Sequence, residues 1–219
     1  MKNVFSNLFS SLPAGMRIFL LCYALGFPVL MLGHLSHTFA LEDWLALSPA
    51  LVWKGQVWRV LTYAFLAGGI LGWVVNLFWF VTLISILGRN WSSVAFWFFC
   101  LFAAIAGALP IVLLMPGTDA RVLSGGGIIF ALLVAWDRLY HRERLIMLGI
   151  GEMSVRQAAI FVAVINAVIV FFSCGGWLLT LSMMCGGLAG WIYLALGSKR
   201  LLSRSSQTVE SERIARLEL

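Results

Sequence analysis

Apolar runs of roughly membrane-crossing length alternate with short polar interruptions through most of the chain, and that alternation predicts its elements. The first run covers 16–35 and contains Pro28, which removes a backbone donor in mid-helix and predicts a bend there. The second covers 70–88, and the third covers 93–115 with Pro110 near its end. A fourth run, 126–136, is only about half a bilayer long. The fifth covers 157–172 and the sixth 177–196. The pattern predicts an all-α membrane protein, a six-transmembrane-helix bundle with a short central fourth helix. Such a helix, ringed by longer ones, starts inside the membrane, so its free N-terminal amides lie within the protein.

The polar interruptions differ in character. The connector 36–67 is broken by Glu42, Asp43, Pro49, Lys54 and Arg59, which bars a span, yet it carries Trp44, Trp53, Trp58, Tyr63 and Phe65. Amphipathic rings settle at the headgroup level, so this connector is predicted to lie in the membrane interface. Segment 137–156, with Arg138, His141, Arg142 and Arg144, reads as a charged loop. The chain thus divides into an N-terminal segment 1–15, a membrane domain 16–197 and a polar tail 198–219 of mixed charge, partly helical or disordered.

Composition narrows the picture. A chain that is 62% hydrophobic and 11% charged, with mean hydropathy +0.98, has no water-compatible surface to offer, which excludes a soluble globule. Segment 1–15 is polar and Ser-rich, without the layout of a cleavable signal peptide. The net charge of +6 does not imply a nucleic-acid partner, because the basic residues gather at span ends and set topology. With both termini cytoplasmic, Lys2, Arg17, Arg89, Arg138, Arg142, Arg144, Arg156, Lys199, Arg200 and Arg204 lie inside, against Lys54, Arg59 and Arg121 outside. That asymmetry predicts cytoplasmic termini, and the expected location is a bacterial inner (plasma) membrane. Cys22, Cys100, Cys174 and Cys185 lie in or beside apolar runs and read as small hydrophobes. His34 and His37 stand three apart without a third ligand, so no metal site or cofactor is expected.

Three features carry candidate chemistry. Ser124-Gly125-Gly126-Gly127 opens the fourth run, and three glycines at a helix start mean that something approaches the backbone closely, either a neighbouring helix or the contents of a site. Gly186-x-x-x-Gly190 in the sixth run lets a partner backbone come near. Asn76 is the one strongly polar side chain of the second run, and its amide needs a partner in hydrocarbon.

Taken in chain order, these phrases resemble the rhomboid intramembrane serine protease superfamily, over about 16–197. Gly55-Gln56-Val57-Trp58-Arg59-Val60-Leu61-Thr62 is similar to the phrase closing that family's first loop, which marks Trp58 and Arg59 as structural. Asn76 falls where the family has an oxyanion-hole Asn. The run into Phe130-Ala131-Leu132-Leu133 resembles the helix carrying the nucleophile in a Gly-x-Ser-Gly motif. The phrase from Gly186 through Gly190 to Tyr193 resembles the tail of the sixth helix, which begins with the catalytic His and in which both glycines are structural.

The resemblance implies a serine four residues before Phe130, where this chain has Gly126, and a histidine seven before Gly190, where it has Met183. It implies a second-helix histidine where Gly72 stands. The implied protein is therefore a rhomboid pseudoprotease that binds transmembrane segments of client membrane proteins in the lipid bilayer, for retention, escort or quality control. In that family the lateral opening lies between the second and fifth spans, which makes Phe78, Trp79, Phe161 and Phe171 candidate gate residues.

Two other readings stay open. One is an active rhomboid-type protease using Ser124 with an unrecognised base. Against it, two residues along a helix turn a side chain by about 200°. A serine also needs a base in reach, whereas His34 and His37 end the first span, His141 lies in the opposite loop, and Lys2, Lys54 and Lys199 fall outside the spans. The other is a small transporter, which would carry more polar residues within its spans.

Overall fold

The computed structural model describes the backbone of residues 12–36, 41–88, 91–140, 144–147, 151–173 and 176–217, with side chains over the same residues except 34–36, 144–147, 151–153, 169–173, 176 and 198–217. Helix α1 (Ala14–Ser36) is followed by three short helices, α2 (Leu41–Leu45), α3 (Pro49–Trp53) and α4 (Arg59–Thr62), and a 3-10 turn at Tyr63–Phe65. Then come α5 (Ile70–Leu87), α6 (Ser93–Leu114) and α7 (Gly126–Tyr140). A two-stranded antiparallel hairpin, β1 (Arg144–Met147) with β2 (Gly151–Ser154), precedes α8 (Val155–Ser173) and α9 (Gly176–Leu217).

Four helices are long and apolar enough to cross a membrane among the described residues: 14–33 of α1, α5, α6 and 177–197 of α9. In α8 the apolar stretch is shorter, Val155–Val168. The 15 residues of α7 reach about 22 Å, against roughly 30 Å of hydrocarbon. Side chain to backbone bonds fix how the helices alternate. The Gly15 amide donates to Ser93 Oγ at 3.2 Å and Tyr140 donates to the Ile86 carbonyl at 3.2 Å, so the starts of α1 and α6 share one end with the finishes of α5 and α7. At the other end the Trp53 indole, from the connector, donates to the Val112 carbonyl near the finish of α6.

At the centre stands α7, which packs on α5, α6, α8 and, most extensively, α9. Gly126, Gly127, Ile128, Ile129, Ala131, Leu132, Leu133, Ala135 and Trp136 are all buried, as a helix apolar on every side must be. A second focus is aromatic. Phe19 of α1 meets Phe65, Phe80, Phe96 and Trp97 at centroid distances of 5.2 to 5.5 Å, locking α1, α5 and α6 to the connector.

Several expectations need revising. The fourth helix runs one turn past 136, to Tyr140, and the loop expected over 137–156 contains the hairpin. The sixth helix does not stop at 196 but continues as one helix to Leu217, through the segment assigned to the tail. Within the aromatic connector Trp44, Trp53 and Trp58 are exposed, whereas Tyr63 is only 1% exposed and belongs to the core. Of the cysteines, Cys22 is exposed and Cys100 buried. Cys174, His37 and His141 lie outside the described residues, as do the side chains of His34 and Phe171.

Candidate functional site

The site is assembled where α7 begins. Ser124 is fixed on both sides: its amide donates to the Tyr63 carbonyl at 3.2 Å, and its Oγ accepts from the Gly126 amide at 3.2 Å. The hydroxyl therefore satisfies one of the orphan donors of the helix start, as Ser side chains do there. Helical bonding follows at once, with the Ile129 amide donating to the Gly125 carbonyl.

Each glycine of the run faces a different neighbour. A Cβ on Gly125 would sit 3.0 Å from the Ala64 carbonyl oxygen and 3.2 Å from the rings of Phe80 and Tyr23. One on Gly126 would lie 2.2, 2.9 and 3.2 Å from Cε, Cγ and Sδ of Met183. Gly127 takes the backbone of α9, since a Cβ on Gly186 would fall 2.5 to 2.7 Å from its main-chain atoms. One turn on, a Cβ on Gly190 would lie 2.8 Å from that of Ala131. Gly127-x-x-x-Ala131 thus meets Gly186-x-x-x-Gly190 in a small-residue crossing of the kind that lets membrane helices approach closely.

Gly126 and Met183 therefore stand face to face, with the side chain of Met183, a residue only 5% exposed, filling the volume that any side chain at 126 would need. Neither residue has a proton to transfer or a hydroxyl to activate. Asn76 stands near the same run through an intermediary: it lies beside the Tyr23 hydroxyl, whose ring borders Gly125. That buried hydroxyl has no hydrogen-bond partner among the described residues. Gly72 is not drawn in; it is exposed, with nothing within 4 Å of its Cβ position.

A buried polar knot beside the site has no counterpart in the sequence reading. Tyr63 donates to the Ala104 carbonyl at 2.9 Å and Ser182, next to Met183, donates to the Gly107 carbonyl at 2.5 Å. Both side chains thus satisfy themselves on the α6 backbone, Tyr63 at Ala104 and Ser182 at Gly107, where a Cβ would lie 2.9 Å from the Tyr63 hydroxyl. Arg59 braces the connector from outside. The residue is only 3% exposed, and its guanidinium donates to Gln56 Oε1 and the Ala46 carbonyl, both at 2.7 Å, and to the Asp43 carbonyl. Desolvation lowers its pKa from the ordinary value and Asp43 opposes that. The Trp58 indole donates to the Trp44 carbonyl, Asp43 pairs with Arg121, and Leu47 bridges Val122, so connector and pre-helix loop form one layer.

Between that layer and the ends of α1, α6 and α9 lies a cavity of about 520 Å³, mostly apolar, with Glu42 and Arg121 as its charged members. It reaches Leu123, just before the glycine run, and does not border Phe78, Trp79 or Phe161. Phe78 and Phe161 are exposed on α5 and α8, and Trp79 is half-buried against Phe78 at 5.3 Å.

Long apolar helices around a buried glycine-opened helix define an integral membrane protein with its candidate site sunk among the helices. The chain belongs to the family described as eukaryotic integral membrane protein (DUF1751), whose model matches residues 17–199, nearly the whole of the helical bundle. No curated protein matches it significantly.

Proposed function

We propose that this is a rhomboid-like protein without the serine and histidine dyad, which binds transmembrane segments of client membrane proteins and retains, escorts or surveys them. The observation that carries the reading is the contact of Gly126 with Met183: the two positions where the rhomboid resemblance implies nucleophile and base face each other and hold a hydrogen and a thioether. The short α7 at the centre of longer helices supports the same reading, and with α7 and α8 counted as membrane segments the frame has six. In this reading both termini are cytoplasmic. The family's description is eukaryotic and lends no support to a bacterial membrane.

Clients would enter beside α7, between α5 and α8, each of which packs on it. A short central helix thins the adjacent bilayer, which favours a client helix carrying a polar or helix-breaking residue. The alternative, proteolysis through Ser124, has its hydroxyl engaged in the turn that starts α7. Site-specific photo-crosslinking from Trp79 and Phe161 tests the proposal. Adducts are expected on transmembrane segments of other proteins and should weaken in Asn76→Ala. Adducts to lipid alone would refute client binding.

A further inference from the structure

At the end of the bundle away from the connector, a second cavity of about 590 Å³ is lined by Val134, Asp137 and Arg138 of α7, Arg156 of α8 and Trp191 of α9. The Arg138 guanidinium lies 4.9 Å from the centroid of the Trp191 ring, over an aromatic face, and has no hydrogen-bond acceptor among the described residues. Arg138 and Arg156 are exposed, and neither has an ion-pair partner among the described residues. Among the described residues, the lining carries these two arginines and one carboxylate, Asp137.

Two apolar stripes lead from this pocket along the bundle. On α8, Ile160 and Val164, each 55% exposed, continue the face of Arg156 at four-residue steps. On α9, Leu188 and Met184, 59% and 61% exposed, continue the face of Trp191. A lipid has a headgroup for the arginines and acyl chains for these exposed apolar faces of α8 and α9. We propose that this pocket binds the phosphodiester of a monoanionic glycerophospholipid, with guanidinium hydrogen bonds from Arg138 and Arg156 to its oxygens and its chains laid against α8 and α9. Two arginines beside one carboxylate, among the described residues, suit the single negative charge of a phosphodiester. This site is separate from the client-binding reading and stands or falls without it.

The test is native mass spectrometry and thermal unfolding of the detergent-purified full-length protein with phosphatidylglycerol, phosphatidylcholine or inorganic phosphate added. Phosphatidylglycerol should be retained preferentially and raise the unfolding temperature. Arg138→Gln with Arg156→Gln should weaken its binding about 30-fold, roughly five-fold for each arginine. Arg156→Gln alone, at an exposed and unpaired position, supplies the roughly five-fold step if the double variant fails to fold. Equal retention of phosphatidylcholine, or unchanged binding in the folded variants, overturns the proposal. So does equal protection by inorganic phosphate, which would mark a simple anion site.

Discussion

A methyl group added at Gly126 lands 2.2 Å from the Met183 Cε, but the end of a methionine can swing aside. Gly126→Ala should therefore cost only about 1–3 kcal/mol. Gly186→Ala drives a methyl into the Gly127 backbone at 2.5 to 2.7 Å, which cannot move without separating α7 from α9, and should cost more. The decisive comparison is Gly126→Ala in a Met183→Ala background, where the methyl meets free space and its penalty should vanish. Thermal unfolding in detergent reads all three, and an unchanged Gly126→Ala penalty in that background would disprove the contact. At Ser124, replacement by Ala removes the acceptor for the Gly126 amide and should cost about 1 kcal/mol. A fluorophosphonate probe should not label the wild-type protein, since a serine without a base is a poor nucleophile at neutral pH. Labelling abolished by Ser124→Ala would revive the protease reading.

The elements differ in how plainly the sequence announces them, and the reason is the solvent each one faces. Helices α1, α5, α6 and the first half of α9 face lipid, so their apolar runs are uninterrupted and their limits can be read to within a few residues. The hairpin at 144–154 is short, and the alternation of four-residue strands is too brief to stand out in a charged segment. Tyr63 misleads for another reason: a tyrosine suits an interface and a satisfied core equally, and only the α6 carbonyl at Ala104 decides between them. Arg59 and Gly186 are visible as motifs, but their closest partners include main-chain groups at Ala46, Asp43 and Gly127, which leave no pattern to find. The braced connector should be sensitive accordingly. Arg59→Met leaves the Ala46 and Asp43 carbonyls without their donor and should cost about 1–3 kcal/mol in thermal unfolding. Breaking the Asp43 and Arg121 pair, both exposed, should change it by about 1 kcal/mol or less.

For the whole molecule, charge and connector position predict sidedness. Thiol reagents confined to one face of the membrane should reach Ser206→Cys from the cytoplasm and Lys54→Cys from outside. A Ser206→Cys reachable only from outside would invert the topology. The frame also sets what engineering can recover. The triple variant Gly126→Ser, Met183→His and Gly72→His should show at most trace peptidase activity in a transmembrane-substrate cleavage assay. The first two side chains would meet across the α7 and α9 contact, but a histidine at 72 has nothing near it to hold it.

The Gly126 and Met183 contact also bears on inheritance. A serine arriving first at 126 collides with the methionine, and a histidine arriving first at 183 brings an imidazole against a glycine that offers it no side-chain partner. The order of substitution therefore matters: a smaller residue at 183 has to come first if a side chain at 126 is to be accepted without cost.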